Sequence, residues 1–261
     1  MQTIKYHLSI TSLFLLFTSS ACYSAPKEGE WTLGTGTSYS SGDYGNPEPT
    51  NMLYIPVSLQ YKQEKWRVRL TVPYIKMRGP QNVIRNIGQI DQEMTVETDN
   101  RDGLGDVLLS GRYQLFYLPK SKLLIDVAGK IKFGTANSDT NLGTGENDYS
   151  LIVGLYKKIG GYTPYVTFGR RFYGQSPDFT LDDVFYGSAG LDYKMSAKTN
   201  LGANFYLKDR TADTRPTTQQ LVGYLGYKLD TNWKIQGYLS KGFTENTADY
   251  GGGFSLRYTF D

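Results

Sequence analysis

Gly253-Phe254-Ser255-Leu256-Arg257-Tyr258-Thr259-Phe260 places an aromatic or aliphatic side chain at every second position, with glycine, hydroxyls and Arg257 between them. In a β-strand successive side chains point to opposite faces, so this stretch presents one apolar face and one polar face. The alternation recurs along the chain, with Arg, Lys, Asp and Gly opposite the aromatics. Two faces suited to two solvents, hydrocarbon outside and water inside, predict an all-β fold. The expected architecture is a transmembrane antiparallel up-and-down β-barrel of about 12 strands.

The outward face begins with Trp31, Leu33, Thr35, Thr37 and Tyr39. It continues through Leu53, Ile55, Val57, Leu59 and Tyr61, then Trp66, Val68, Leu70, Val72 and Tyr74. A fourth strand carries Val107, Leu109, Tyr113 and Leu115, and a fifth Leu123, Ile125, Val127, Ile131 and Phe133. Further strands are read around 149–155, 162–172, 185–193, 201–207, 221–229 and 233–239 before the terminal stretch. Tight connections at 62–65, 118–122, 160–161, 196–199 and 230–232 alternate with longer ones at 41–50, 79–103, 134–147, 174–181, 209–217 and 244–249. Short turns face the periplasm and long loops the exterior in such barrels, which puts both termini on the periplasmic side.

Outward aromatics fall into two bands. Trp31, Tyr61, Trp66, Tyr162, Tyr193, Tyr227, Trp233 and Tyr258 lie near the short turns, and Tyr39, Tyr74, Phe133, Tyr149, Phe185, Phe243 and Tyr250 near the long loops. Amphipathic rings settle at lipid headgroups, so two bands read as two girdles. An exported soluble β-sandwich also alternates, but has no reason to band its aromatics at both ends.

Residues 1–24 read as a cleaved secretory signal: Lys5, an apolar run from Leu8 to Phe17, small residues from Thr18 to Ala25, and a cut after Ser24. The barrel domain is then 25–261. Cleavage before Cys22 with lipidation is the less favoured alternative, because Ser19 stands where an apolar residue is wanted. Beyond the signal no apolar run approaches the ~20 residues of a membrane helix. Cys22 and His7 are the only cysteine and histidine, and both leave with the signal. Histidine-dependent hydrolases and His/Cys zinc sites therefore lack their chemistry here. An acid–base pair such as Asp106 with Asp126 stays open, yet nothing singles it out. No catalytic residue, metal site or cofactor is expected. The formal charge of +3, without a concentrated patch, argues against nucleic acid.

The candidate site is the inward face. It consists of Arg67, Arg69, Asp106, Arg112, Asp126, Lys130, Lys132, Arg171, Lys208 and Arg257, with the tyrosines Tyr186, Tyr206 and Tyr238. Twelve strands tilted near 40° enclose a backbone cylinder of roughly 24 Å, which side chains narrow to ~10 Å or less, a passage for small solutes only. Two readings of the basic cluster stay open. It is a positive wall that favours anions, or it pairs with Asp106 and Asp126 to neutralise a narrow wet core. The tyrosines likewise stack aromatic solutes or fill space over Gly154, Gly169, Gly190, Gly202 and Gly226.

The stretch 79–103 is longer than an ordinary hairpin loop. It either folds inward as a constriction, setting Asp91, Glu93, Glu97, Asp99 and Asp102 against the basic wall, or projects outward as a hairpin built on Val83, Ile84, Ile87 and Ile90. The acidic segments 99–103 and 139–145 lack calcium-ligand spacing.

Gly103-Leu104-Gly105-Asp106-Val107 opens the fourth strand, and Lys130-Ile131-Lys132-Phe133-Gly134-Thr135 leads towards Leu142-Gly143-Thr144-Gly145-Glu146-Asn147-Asp148-Tyr149. These segments resemble the barrel family labelled for the MetA pathway of phenol degradation, with its Gly-Leu-Gly-Asp strand start and Leu-Gly-Thr-Gly loop. Phe133-Gly134 stands here in place of the proline that precedes Thr-Gly in that family, and Asp261 follows the terminal aromatic Phe260. The resemblance implies an outer-membrane barrel passing small hydrophobic or aromatic compounds, and it carries no residue roles.

The expected function is a channel or transporter for small solutes, with a structural or surface-interaction barrel of closed lumen as the alternative. The expected location is the outer membrane of a Gram-negative bacterium, after export through the periplasm. Expected partners are outer-membrane lipid and lipopolysaccharide, a small-molecule solute, and the barrel-insertion machinery during biogenesis. Oligomeric state is left open.

Overall fold

The computed structural model describes residues 29–80, 98–137, 140, 142–175, 181–212 and 216–260. The expected signal 1–24 lies outside these residues, as do Val83, Ile84, Ile87, Ile90, Asp91, Glu93 and Glu97. The described chain forms β1 (Glu30–Gly42), β2 (Thr50–Gln63), β3 (Trp66–Pro80), β4 (Thr98–Leu104), β5 (Val107–Leu118), β6 (Leu123–Phe133), β7 (Asp148–Lys157), β8 (Tyr162–Phe172), β9 (Val184–Lys194), β10 (Thr199–Lys208), β11 (Thr218–Lys228), β12 (Trp233–Gly242) and β13 (Tyr250–Thr259).

Each strand pairs antiparallel with its neighbours, and β13 returns to β1 from Thr32↔Thr259 to Ser41↔Tyr250. That pairing closes the sheet, and closure leaves no unpaired edge to face lipid. The ring has twelve staves, because β4 and β5 share one. β3 pairs with β5 from Trp66↔Tyr113 to Thr71↔Leu108 and with β4 from Tyr74↔Leu104 to Pro80↔Thr98. The stave breaks at Gly105-Asp106, where the Gly105 amide donates to the Pro73 carbonyl at 2.9 Å. A Cβ at Gly105 would lie 2.5 Å from Ile75 Cδ1 and 3.2 Å from Pro73 Cγ, so a larger residue there requires the Ile75 side chain to shift.

Two departures from the sequence reading follow. The stretch 79–103 is not loop throughout, since 98–104 is strand. Thr98-Asp99-Asn100-Arg101-Asp102 carries polar residues at every position, so no apolar alternation marks it. The other departure is a bulge between Gln114 and Phe116, which puts Phe116 opposite Ile125. Leu115 is thus the extra residue, and the outward phase passes to Phe116 and Leu118.

The outward face matches the expected set. Leu33, Val57, Leu59, Val68, Leu70, Leu151, Val153, Leu225 and Phe254 are all exposed, a surface that water would not tolerate and hydrocarbon requires. At the short-turn end the aromatics meet as cross-strand pairs: Trp31–Tyr61 at 4.8 Å, Trp66–Tyr113 at 4.5 Å, Tyr162–Tyr193 at 4.6 Å and Trp233–Tyr258 at 4.8 Å between centroids. The register that closes the barrel thereby assembles the girdle. Phe260 is tied in by its amide, which donates to the Trp31 carbonyl at 2.9 Å.

Candidate functional site: the lumen and its mouth

The strand residues of the candidate set lie opposite the exposed apolar face, Asp106 lies at the stave break between β4 and β5, and the register sorts them into three groups. At the outer end, Lys132 faces Asp148 across the β6–β7 pair. Its ammonium lies 2.8 Å from Asp106 Oδ2 and 3.6 Å from Asp148 Oδ2, and donates to Thr144 Oγ1 at 2.7 Å and to the Glu146 carbonyl at 2.9 Å. The other oxygen of Asp106 accepts from the Ala136 amide at 3.0 Å. The segment 134–147, joining β6 to β7, is therefore anchored inside the mouth at both its ends.

Leu142, 1% exposed, packs with Ala136 against Met52, Tyr54, Ile75 and Met77, the inward residues of β2 and β3. Between β6 and β7 the inward contacts are thus those of Ala136, Leu142, Thr144 and Glu146. Of the acidic residues named for the inward alternative of 79–103, Asp99 lies on the same face of β4 as the buried Arg101, and Asp102 on the opposite face. Asp102 is exposed, and its carboxylate accepts a hydrogen bond from the outward-facing Tyr74.

Deeper in, Arg112 Nη1 lies 3.0 Å from Asp126 Oδ2 and donates to Tyr156 OH, also at 3.0 Å. Tyr156 stacks on Tyr165 with centroids 5.7 Å apart. Further round the wall, Arg171 sits over Tyr173 and Tyr186 at 5.6 and 5.5 Å, and Tyr186 leans towards Tyr206 at 6.2 Å. Tyr224 donates to Asp192 Oδ1 at 2.5 Å.

These tyrosines lie flat because glycines face them. A Cβ at Gly190 would come 2.5 Å from the Tyr165 ring, at Gly202 2.3 Å from Tyr224, at Gly169 2.9 Å from Tyr186, and at Gly154 2.7 Å from Tyr156. Gly226 faces Asn200 instead. Lys208 is buried beside this aromatic wall at the outer end of β10.

The third group is a basic stripe. Arg257 on β13 faces Lys234 on β12 and Gly34 on β1. Its stem passes over Gly34, where a Cβ would stand 3.2 Å from Arg257 Cγ. Its guanidinium donates to Gln236 Oε1 at 3.1 Å, while Arg69 donates to Gln60 Oε1 at 2.5 Å. Arg67, Arg69 and Arg257 stand within electrostatic reach of one another, and Lys130 within reach of Arg69, Arg112 and Arg171. Tyr238 lies one inward step beyond Gln236, within reach of Tyr54. Of the aspartates expected to pair with the basic cluster, Asp106 meets Lys132 and Asp126 meets Arg112.

Sequence reasoning quoted Leu142, Thr144, Glu146 and Asp148 only as part of a family motif and gave them no place in the lumen. The usable signal was Leu142 itself, an isolated aliphatic in a polar glycine-rich loop.

With this geometry in place, the chain can be set beside known proteins. The family model described as "Putative MetA-pathway of phenol degradation" matches residues 52–260. The chain belongs to that family. The match runs from β2 to the last aromatic and so takes in the mouth loop, the basic stripe and the tyrosine wall. No curated protein sequence matches. Among solved structures, an outer membrane channel from Pseudomonas putida F1 superposes with a TM-score of 0.72 at 14% identity, covering 92% of this chain and 98% of that one. The NanC porin gives 0.56 at 11% identity over 87% and 98%, and the KdgM porin 0.54 at 12% over 88% and 99%. At these identities the likeness is one of fold, and the fold is that of outer-membrane barrels.

Proposed function

We propose that this family member is an outer-membrane channel or transporter for small solutes, hydrophobic or aromatic compounds included. The observation that carries the reading is the contrast between the two faces of one closed ring. Leucines, valines and aromatics cover the outside, and charged groups, amides and tyrosine hydroxyls cover the inside. A water-filled passage is the use such an interior serves. The family's phenol label and the channel and porin neighbours support the same reading. The chain would reach the outer membrane of a Gram-negative bacterium after losing residues 1–24 and being inserted by the barrel machinery, with lipid and lipopolysaccharide around it. Without a histidine outside that signal, it would carry no histidine-dependent hydrolytic activity.

A second reading has one observation in its favour: the loop 134–147 seated in the mouth by Lys132 and Leu142. A barrel closed in this way would be structural or act through its surface loops. Swelling of liposomes containing the purified protein separates the two. Entry of small sugars and phenol-sized solutes at rates that fall steeply with solute size supports a passage. Swelling no faster than in empty liposomes would overturn it.

A further inference from the structure

Four apolar side chains stand together on the inward face at the outer ends of β2 and β3. Met52 lies opposite Met77 and Tyr54 opposite Ile75, and all four are buried. An apolar patch on the wall of a wet lumen favours any apolar group that covers it, in proportion to the area taken from water. The cover is Leu142, with Ala136 beside it.

Patch and cover are held by different means. The patch sits on strands of the closed ring, in a β2–β3 ladder that runs from Asn51↔Arg78 to Gln63↔Trp66. Leu142 belongs to the connection between β6 and β7, which is tied through the polar contacts of Ala136, Thr144 and Glu146. Beside it the stave break presents glycine, so that a Cβ at Gly103 would lie 3.6 Å from Leu142 Cδ1. What the patch accepts is shown by what occupies it: a compact branched hydrocarbon, 1% exposed. Dry apolar cavities of about 150 Å3, of the kind left when a leucine side chain is withdrawn, also accept benzene. Two of the four wall residues are methionines, whose flexible thioethers repack around different shapes and make favourable contacts with aromatic ring edges.

We propose that Met52, Tyr54, Ile75 and Met77 form a binding site for a small aromatic hydrocarbon, with Leu142 as a tethered occupant that the solute displaces. The inference rests on the channel reading for the solute's route, but binding itself is measured without any transport.

Benzene is titrated into the folded full-length protein in non-ionic micelles, with the methionine methyl groups carrying 13C for NMR. The Met52 and Met77 methyl resonances shift and saturate. Met195, exposed at the turn after β9, records only the partition of benzene into the micelle and shows no saturation. Leu142→Ala removes the tethered occupant and tightens the apparent affinity about ten-fold or more, because a larger fraction of molecules has the patch uncovered. Adding Met77→Gln to that variant weakens the saturable response of Met52 at least about ten-fold, since a buried amide without a partner opposes an apolar ligand.

Absence of saturation at Met52 and Met77 in the unaltered protein would overturn the proposal, whether or not the variants fold. So would equal apparent affinities in the unaltered protein and a folded Leu142→Ala variant. A barrel that admits solutes in liposome swelling but shows no saturable shift refutes the site alone. One that shows the shift yet admits no solute supports the site and refutes the channel.

Discussion

Lys132 and Asp106 meet at 2.8 Å with side chains 10% and 9% exposed, and their partners include both ends of the loop 134–147. Breaking a buried pair by removing one member strands the other charge. Lys132→Met is therefore expected to cost about 3 to 5 kcal/mol at this site. The cost falls on the loop more than on the barrel, because the staves keep their own ladders. Protease nicking within 134–147 should rise sharply in Lys132→Met while the barrel stays folded. Nicking no faster than in the parent would mean that the network does not hold the loop.

Leu142 offers an independent handle on the same loop. Truncation to alanine removes most of the side chain packed on Met52, Tyr54, Ile75 and Met77 and should cost about 2 to 5 kcal/mol if the pocket cannot collapse. The effect is read by hydrogen exchange, as faster exchange confined to the loop amides. If the whole barrel exchanges faster, the loop is part of the global cooperative unit instead.

The tyrosine–glycine contacts predict a contrast. Gly202→Ala sets a methyl 2.3 Å from Tyr224, whereas Gly223→Ala adds one where nothing stands within 4 Å. Overpacking at Gly202 should destabilise by about 1 to 3 kcal/mol, and Gly223→Ala should be neutral or gain up to about 1 kcal/mol. Urea unfolding in lipid vesicles measures both. Equal behaviour of the two variants would contradict the packing described.

The outward face can be tested against lipid directly. Val153 is exposed in the middle of β7, flanked by Val127 and Phe168. Val153→Arg should cost about 2 to 4 kcal/mol in a bilayer, as expected near the midplane. A loss that vanishes in lipid vesicles would place this face elsewhere.

The staves were legible because a strand's period of two reports directly which side chains meet lipid, and Leu33 or Val57 needs no partner to declare its face. Positions where two faces share one solvent were not legible. β4 is polar at every position from Thr98 to Asp102, so it carries no apolar alternation. The Leu115 bulge was hidden because Leu115, Phe116 and Leu118 are all apolar, and a slip in phase leaves such a run looking unchanged. In the lumen, the inward placement of Arg69 and Arg257 could be read from parity. The passage of Arg257 over Gly34 could not, since it depends on closure between β13 and β1 across more than two hundred residues of chain. The mouth loop escaped for a similar reason: Leu142 finds its pocket on β2 and β3, and nothing local to the loop names those strands.

The central claim is an open, water-filled passage through this barrel, and single-channel recording in a planar bilayer tests it most directly. The account predicts stable, discrete conductance steps, a reversal potential of anion sign under a salt gradient, and larger steps when Lys132→Met frees the mouth loop. Persistent silence from correctly folded protein, with and without that substitution, would contradict it.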